Sequence, residues 1–312
     1  MRAMRLVATG RCLPQRVVTN DDLSRMVETS DEWISTRTGI RERRHCTDET
    51  NAFLASEAAR RAMAQGGISP EEIGICIVAT FTPDSASPSM ACLVQQALGL
   101  PEDIPAFDLN AACSGFLYGL KVAHGLLLTS ERPYALVVGS EVLSRVVNFE
   151  DRGTCVLFGD GAGAAVLTLS DSHRFVAALG ARGDDSLIHC PGPGKPDQYI
   201  SMNGREVFRF ATDIIPRCIE QVLAKAGLTL EDVDYVVCHQ ANARIISHVV
   251  KKMQAPEEKF YINLQRYGNT SSASIPIALD EMAEQGLLRP GMRVVCVGFG
   301  GGLTWGGALL EW

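Results

Sequence analysis

The sequence predicts a layered α/β protein built from two similar halves. Apolar, strand-like runs alternate with helical runs along the 312 residues, and one pattern of helix, glycine stop, acidic turn and strand occurs twice. Such alternation is typical of sheets that carry helices on their faces. A content of 46% hydrophobic and 21% charged residues is typical of a globular chain with one large core or two ordinary domains.

The first half contains most of the readable elements. Residues 75–80 form a continuous apolar run, which is typical of a strand buried on both faces. Residues 19–22 supply helix N-caps, and Gly66 and Gly67 end a helix. We expect strands at residues 5–10 (turning at Gly10), 75–80, 107–109 and 135–139, a closing strand within 156–167, and helices at residues 31–39, 55–65 and 117–128.

The second half repeats the first in the same order. Three pairs of segments correspond: residues 62–74 with 222–234, the strand 107–109 with 261–264, and 158–161 with 299–302. Ordered self-similarity indicates a duplicated architecture. We therefore divide the chain into halves of residues 1–170 and 171–312, joined near residues 168–175. Residues 183–203, rich in Gly, Pro and Asp, are read as a surface insertion near a site.

Composition narrows the classes of function. A net charge of −7 argues against a nucleic-acid partner. The chain does not open with a signal peptide pattern, and its apolar runs are too short to span a membrane. None of the ten cysteines forms a C-x-x-C pair. We therefore expect a cytoplasmic protein without disulfides, metal or membrane contact.

Cys113 lies where a strand stops at small residues and a helix begins. A helix N-terminus favours the thiolate through its dipole and unpaired N–H groups, which suits a nucleophile. The alternative is a buried core cysteine, since free Cys is among the most buried residue types.

Two further polar residues follow strand ends. His239 follows the apolar run 236–238, and Asn269 opens the helix after the next repeat. Equivalent strand ends of two packed halves converge, so we expect a cleft with Cys113, His239 and Asn269. Both partners can donate to a carbonyl oxygen, and the glycines at 300–302 can bring a second backbone N–H beside that of Cys113. Taken singly, the three features also fit a core histidine, an N-cap and a tight turn.

Four ordered motifs extend over nearly the whole chain. They are Asn110-Ala111-Ala112-Cys113-Ser114-Gly115-Phe116, His239-Gln240-Ala241-Asn242, Gly268-Asn269-Thr270-Ser271 and Phe299-Gly300-Gly301-Gly302-Leu303-Thr304-Trp305-Gly306. This set resembles β-ketoacyl-acyl carrier protein synthase III, the acyltransferase that initiates type II fatty acid synthesis. The resemblance implies a thiolase-like fold of α-β-α-β-α layers, a homodimer and a catalytic Cys113-His239-Asn269 triad.

The resemblance also implies a reaction without metal or cofactor. Cys113 takes the acyl group of an acyl-CoA, with the N–H groups of Cys113 and Gly301 as oxyanion hole. Malonyl-acyl carrier protein then loses CO₂, while His239 and Asn269 hold its thioester oxygen, and the carbanion attacks the acyl-cysteine. The product is a β-ketoacyl-acyl carrier protein. Removing one such donor is expected to cost about 3 to 4 kcal/mol.

Substrate-binding positions follow from the same resemblance. The CoA adenine is expected between Trp33 and Arg152, near Thr29 and Arg37, whereas Trp33 alone also fits a partly buried anchor. The expected lining of the pantetheine tunnel and acyl site is Phe208, Asn242 and Phe299. Helix 241–253 has one apolar and one basic face. That basic face, with Arg244, Lys251 and Lys252, is read as a docking site for acyl carrier protein or as a solvated face. The resemblance adds Arg209 as a docking residue.

Ser87 departs from the acetyl-preferring pattern. Those family members carry a phenylalanine there, which reaches across the dimer and closes the acyl pocket. A smaller side chain leaves room, so we expect longer or branched primers to be tolerated. The effect is a tendency, because one methylene is worth about 1 to 3 kcal/mol of discrimination.

Other functions compete with this interpretation. The first alternative is a thiolase-like condensing or acyl-transfer enzyme of secondary metabolism that uses the same triad. A cysteine hydrolase also uses Cys, His and Asn, but the sequence lacks a C-G-S-C-W signature. A third is a non-catalytic module that binds carrier protein, which the intact Cys, His and Asn set argues against.

Overall fold

The computed structural model describes residues 2–192 and 199–312. Its first part contains strands β1 (Ala3–Cys12), β2 (Val17–Thr19), β3 (Glu42–Arg44), β4 (Ile73–Ala79), β5 (Ala106–Leu109), β6 (Tyr134–Glu141) and β7 (Gly161–Ser170). The helices of this part are α1 (Asn20–Ser24), α2 (Asp31–Thr38), α3 (Asn51–Gly66), α4 (Met90–Leu98), α5 (Gly115–Leu127) and α6 (Arg152–Cys155).

The second part follows after a short turn. Its strands are β8 (Phe175–Asp184), β9 (Ile188–His189), β10 (Ser201–Met202), β11 (Tyr235–Cys238), β12 (Arg293–Gly300) and β13 (Gly302–Glu311). Its helices are α7 (Gly204–Ala226), α8 (Ala243–Met253), α9 (Leu264–Tyr267) and α10 (Ser274–Glu284). The insertion expected at residues 183–203 contains β9 and β10, and its residues 193–198 lie outside the described residues.

Two mixed sheets form the framework. The first has strand order β1-β7-β6-β4-β5 and the second has order β11-β12-β13-β8. In both, a parallel pair (β4 with β6, β11 with β12) is followed by antiparallel neighbours. All strands of the first sheet precede residue 171 and all strands of the second follow it. The division into halves at that point remains a prediction that agrees with this arrangement.

The helices form three layers around these sheets. Helices α3 and α4 cover the outer face of the first sheet with apolar side chains such as Leu54 and Val94. Helices α5 and α10 lie between the sheets, where Leu117, Leu120 and Leu279 contact strands of both. Helices α7 and α8 cover the outer face of the second sheet. The α-β-α-β-α layering expected from the resemblance is thus confirmed.

The repeat is visible in local chemistry. Gly67 and Gly227 end α3 and α7 in the left-handed region, with φ of 62° and 65°. Both copies then form an N-terminal capping box, Ser69 with Glu72 and Thr229 with Asp232. The glycine ends each helix and the capping box opens a single 3₁₀ turn, so each copy leads at the same point into a buried strand.

Two expectations about individual elements are wrong. Strand β1 does not turn at Gly10 but continues to Cys12. A Cβ on Gly10 would lie 2.4 Å from atoms of Ala58 and Ala62, so the glycine lets α3 pack closely.

The strand expected at residues 261–264 is reduced to one bridge between Val236 and Phe260. The Gln240 side chain instead bonds the carbonyl of Tyr261 and the N–H of Asn263, which replaces the strand ladder.

The described part of the chain holds no helix with the length and apolarity of a membrane crossing. Within the same residues, no three His, Cys, Asp or Glu side chains cluster as metal ligands. Each of the ten cysteines is a free thiol.

Candidate active site

A cavity of about 970 Å³ lies at the junction of the two parts. It is lined by Cys113, His239 and Asn269, so the structure brings the three candidate catalytic residues together. Five other predicted site residues and Gly301 also line it: Trp33, Arg37, Phe208, Asn242 and Phe299. Thr29, Ser87, Arg152, Arg209, Arg244, Lys251 and Lys252 are not among its lining residues.

Cys113 lies in a single 3₁₀ turn, Ala112–Ser114, that leads into α5. Ala112 has a φ of 47°, a strained value for a residue with a side chain, and its N–H bonds Asn110 Oδ1 at 3.1 Å. Burial raises the pKa of the Cys113 thiol to about 12, although a hydrogen bond from Ser271 lowers it. The helix terminus therefore does not make Cys113 a thiolate at neutral pH, because desolvation outweighs the dipole.

The glycine-rich loop passes directly beside Cys113. A Cβ on Gly300 would lie 2.6 Å from the backbone nitrogen of Cys113, so only glycine permits this approach. Thr304 ties the loop to the same segment, since its hydroxyl lies 2.8 Å from the carbonyl of Ala111 and 3.1 Å from that of Gly301. The sequence did not predict this role of Thr304, although the residue belongs to the motif of residues 299–306.

His239 follows β11 and is buried. Its Nδ1 lies 2.7 Å from Ser274 Oγ, and its ring packs edge-on against Phe299 at 5.6 Å. Burial lowers the pKa of His239 to about 3, so the imidazole is neutral at physiological pH. A neutral ring with one N–H can donate a hydrogen bond to an oxygen but does not supply a positive charge.

Asn269 has a fixed amide. Its Oδ1 accepts the N–H of Ser271 at 2.9 Å, which leaves Nδ2 as the group that can donate towards the cavity. Its backbone bonds Leu157 and Gly159 of the other sheet's segment at 2.8 and 3.0 Å. The first part repeats this turn with Asn110 and Ala112, so the site contains two copies of one local structure.

A buried carboxylate, Glu141, connects the two parts behind Cys113, and sequence reasoning did not select it. One oxygen contacts the hydroxyls of Thr80 and Thr82 and the N–H groups of Phe81 and Thr82 at 2.6–3.2 Å. The other contacts the hydroxyls of Ser271 and Ser272 at 3.2 and 3.1 Å. Burial raises the pKa of Glu141 to about 7. The sequence feature that could have indicated Glu141 is its position after Gly139 and Ser140 at the end of the apolar run of β6.

The cavity mouth carries an aromatic and two cations. Arg37 and Arg152 lie 4.8 and 4.7 Å from the Trp33 ring centroid. An aromatic base between Trp33 and Arg152 needs about 7 Å, two van der Waals distances, so Arg152 must move to admit one. Arg152 is exposed, and the one hydrogen bond that its side chain forms with the described residues goes to the carbonyl of Glu28. The Thr29 hydroxyl is buried and has no hydrogen-bond partner among the residues the structure describes.

The chain matches two family models, which together cover more than half of it. Residues 107–183 match the model described as 3-oxoacyl-[acyl-carrier-protein (ACP)] synthase III, and residues 223–312 match the model of its C-terminal part. The chain belongs to the 3-oxoacyl-[acyl-carrier-protein] synthase III family. It is therefore an acyl-transferring condensing enzyme, as the sequence predicted.

Individual relatives match this chain over nearly their whole length. The β-ketoacyl-[acyl-carrier-protein] synthase III of Clostridium acetobutylicum is 48% identical, with 100% of this chain and 99% of the relative covered. The crystal structure of 3-oxoacyl-[acyl-carrier-protein] synthase III from Aquifex aeolicus has a TM-score of 0.95 at 45% identity, covering 99% and 100%. The priming β-ketosynthase of the R1128 polyketide pathway has a TM-score of 0.93 at 35% identity, covering 99% and 97%.

Two of the predicted tunnel residues have local partners. Asn242 caps α8 by accepting the N–H of Arg244 at 2.8 Å and donates to the carbonyl of Arg37 at 3.1 Å. Its amide therefore joins the cavity mouth to α8. Phe208 lines the cavity and packs edge-on against His248 at 5.8 Å.

The four predicted docking residues, Arg209 on α7 and Arg244, Lys251 and Lys252 on α8, are exposed, but their charges are not equally available. Arg209 pairs with Glu206 at 2.8 Å and Lys252 with Asp213 at 3.4 Å. In the described chain, Arg244 and Lys251 form no ion pair, and Arg244 lies 6.0 Å from the Phe208 ring. Both residues lie on α8, whose N-cap residue Asn242 lines the cavity, and they are the better candidates for contact with an acidic partner.

Ser87 is exposed and lies outside the cavity of its own chain, although its neighbour Ala86 lines that cavity. A direct part for Ser87 in the acyl pocket thus depends on a second copy of the chain.

Proposed function

We propose that this enzyme, which carries out the initiating condensation of fatty acid synthesis, joins an acyl-CoA primer to malonyl-acyl carrier protein through Cys113, His239 and Asn269. The convergence of these side chains on one cavity between the two parts carries this proposal. A thiol, two neutral donors and a close-packed glycine loop are the groups that a two-step thioester reaction requires.

In the first step the Cys113 sulfur attacks the thioester carbonyl of the acyl-CoA. The N–H groups of Cys113 and Gly301 bind the oxyanion, and collapse breaks the carbon–sulfur bond to CoA. The thiol proton leaves with the departing CoA sulfur, because neutral His239 is a poor base. Acyl-Cys113 and CoA–SH are the products.

In the second step malonyl-acyl carrier protein occupies the cavity. The neutral His239 and the Asn269 amide donate to its thioester oxygen while the carbon–carbon bond to CO₂ breaks. The enolate carbon then attacks acyl-Cys113, a carbon–carbon bond forms, and the Cys113 thiolate leaves and takes a proton from water. The buried donors stabilise the enolate without the cost of reorganising water.

A homodimer and a cytoplasmic location belong to the same proposal. Strand β5 is an edge of the first sheet and has no outer partner in the described chain, with Phe107 and Leu109 half-buried. Such an edge needs a cover, and a second copy would also bring its Ser87 towards this acyl pocket. Arg244 and Lys251 provide the contact for the acidic carrier protein.

Intact-protein mass spectrometry with a panel of acyl-CoAs tests the first step and ranks the primers. We expect added mass on Cys113, none on Cys113→Ala, and labelling beyond acetyl at least as fast as acetyl. A strict acetyl preference would contradict the interpretation of Ser87.

A second candidate function is a priming condensation in secondary metabolism, which the similarity to the R1128 synthase favours. Release of CO₂ from malonyl thioesters on the fatty acid carrier protein and on a polyketide carrier protein separates the two. Faster turnover on the fatty acid carrier supports the main proposal, and the reverse supports the alternative.

A further inference from the structure

Ser274 is the first residue of α10 and lies directly behind the His239 ring. Its Oγ is 2.7 Å from His239 Nδ1 and 3.3 Å from the backbone nitrogen of Gln240. The side chain is buried, with an exposed fraction of 2%. These contacts leave Nε2 as the ring nitrogen available to the cavity.

The hydrogens at Ser274 can be assigned by counting. Gln240 N–H can only donate, so the Ser274 oxygen accepts there. The hydroxyl has one hydrogen, and within the described chain His239 Nδ1 is the acceptor it reaches. Nδ1 is therefore the unprotonated nitrogen, and the ring proton is on Nε2.

The duplication offers an internal comparison. The turn and helix start at residues 112–115 match those at residues 271–274. The first residues of the two turns, Ala112 and Ser271, have nearly the same φ, 47° and 49°. At the position of Ser274 the first part thus carries Gly115, where a Cβ would lie 3.0 Å from that of Ala79. The hydroxyl is present only in the copy that holds the histidine.

We propose that Ser274 is a positioning residue that holds His239 in the Nε2–H tautomer and aims this N–H at the substrate oxygen. The inference rests on the proposed function, since it assigns His239 the role of donor in the second step. With the opposite tautomer, Nε2 would present a lone pair to the enolate oxygen and repel it. Ser274 thus acts through His239 and does not touch the substrate.

The test compares Ser274→Ala and Ser274→Cys with wild type in both half-reactions. Leaving Nδ1 without its donor is expected to slow CO₂ release about 10- to 100-fold in Ser274→Ala. Ser274→Cys keeps a weak donor, so its rate of CO₂ release is expected to lie between those of wild type and Ser274→Ala. Acylation of Cys113 is expected to stay within about threefold, because it uses backbone donors.

Ser170→Ala is the matched control. It removes another buried serine hydroxyl, which lies 2.8 Å from His173 Nδ1 at the end of β7, and neither of these residues lines the cavity. Both steps are expected to stay unchanged. A loss of CO₂ release in this control equal to that in Ser274→Ala would overturn the specific role of Ser274.

Nitrogen-15 NMR of the His239 ring reports which nitrogen is protonated in the wild-type protein, so it needs no variant that folds. Wild type is expected to show a protonated Nε2 and an unprotonated Nδ1; a protonated Nδ1 in wild type overturns the proposal. His239→Ala separates the two claims. If it retains CO₂ release, the proposed donor role of His239 fails; if it loses CO₂ release while Ser274→Ala does not, only the inference about Ser274 fails.

Discussion

Replacing Asn269 by Asp removes one hydrogen-bond donor and leaves its turn intact. The Asp carboxylate can still accept the Ser271 N–H that Asn269 Oδ1 accepts at 2.9 Å. The group that changes is Nδ2, which becomes an oxygen of nearly the same size. Ala would also delete the turn that supports Ser271 at a φ of 49°, so Asp is the sharper variant.

The expected loss follows from the burial of the site. One donor to an oxyanion is worth about 2.7 to 4 kcal/mol, or 10²- to 10³-fold in rate. The Asn269 side chain is only 7% exposed, so a carboxylate there also repels the developing enolate with little screening by water. We expect condensation at pH 8 to fall by about 10³-fold or more.

The two half-reactions are measured separately. Mass spectrometry follows acyl-Cys113 formation, and CO₂ release follows the second step. Acylation of Asn269→Asp is expected within about threefold of wild type, since the first oxyanion hole is made of backbone N–H groups. Condensation within tenfold of wild type, or equal losses in both steps, would refute the division of donors between the steps.

Four further predictions concern burial and close packing. Relative to wild type, His239→Gln should become about 2 kcal/mol more stable to unfolding when the pH is lowered from 8 to 5. The lowered pKa of His239 makes the wild type lose stability as pH falls below about 6.5, whereas glutamine does not titrate. The same difference between variant and wild type in urea denaturation at both pH values would contradict this. Relative to wild type, Glu141→Gln should become about 2 to 3 kcal/mol more stable to unfolding when the pH is raised from 5 to 8. The raised pKa of Glu141 makes the wild type lose stability as pH rises from about 4.5 to 7. Gly300→Ala should abolish acylation of Cys113 in the mass assay, since its Cβ would lie 2.6 Å from the Cys113 nitrogen and push the loop away; normal labelling would disprove the close approach. Trp33→Ala should raise KM for acyl-CoA about tenfold through lost stacking while leaving KM for malonyl-acyl carrier protein unchanged, and an equal rise in both would count against an adenine site.

Local structure could be read from the sequence wherever adjacent residues decide it. The glycines at 67 and 227 ended both helices where expected, because a glycine in the left-handed region acts within one turn. The duplication, the layered α/β class and the convergence of Cys113, His239 and Asn269 also followed from ordered patterns. The roles of the site residues remain predictions.

Features that depend on distant partners could not be read in this way. The sequence predicts a turn at Gly10, but the glycine is needed there because the backbone of α3, about fifty residues away in sequence, packs against it. The strand at 261–264 failed because the Gln240 side chain takes the backbone groups that a neighbouring strand would use.

Sequence patterns alone predict the family, the doubled architecture and the three side chains that meet in the cavity. The protonation of these side chains depends on the folded chain. Cys113 was expected as a thiolate because of its helix, yet burial keeps it a thiol and keeps His239 neutral. The free energy of ionising a group depends on how much water the group loses, and this in turn depends on every segment that closes over it.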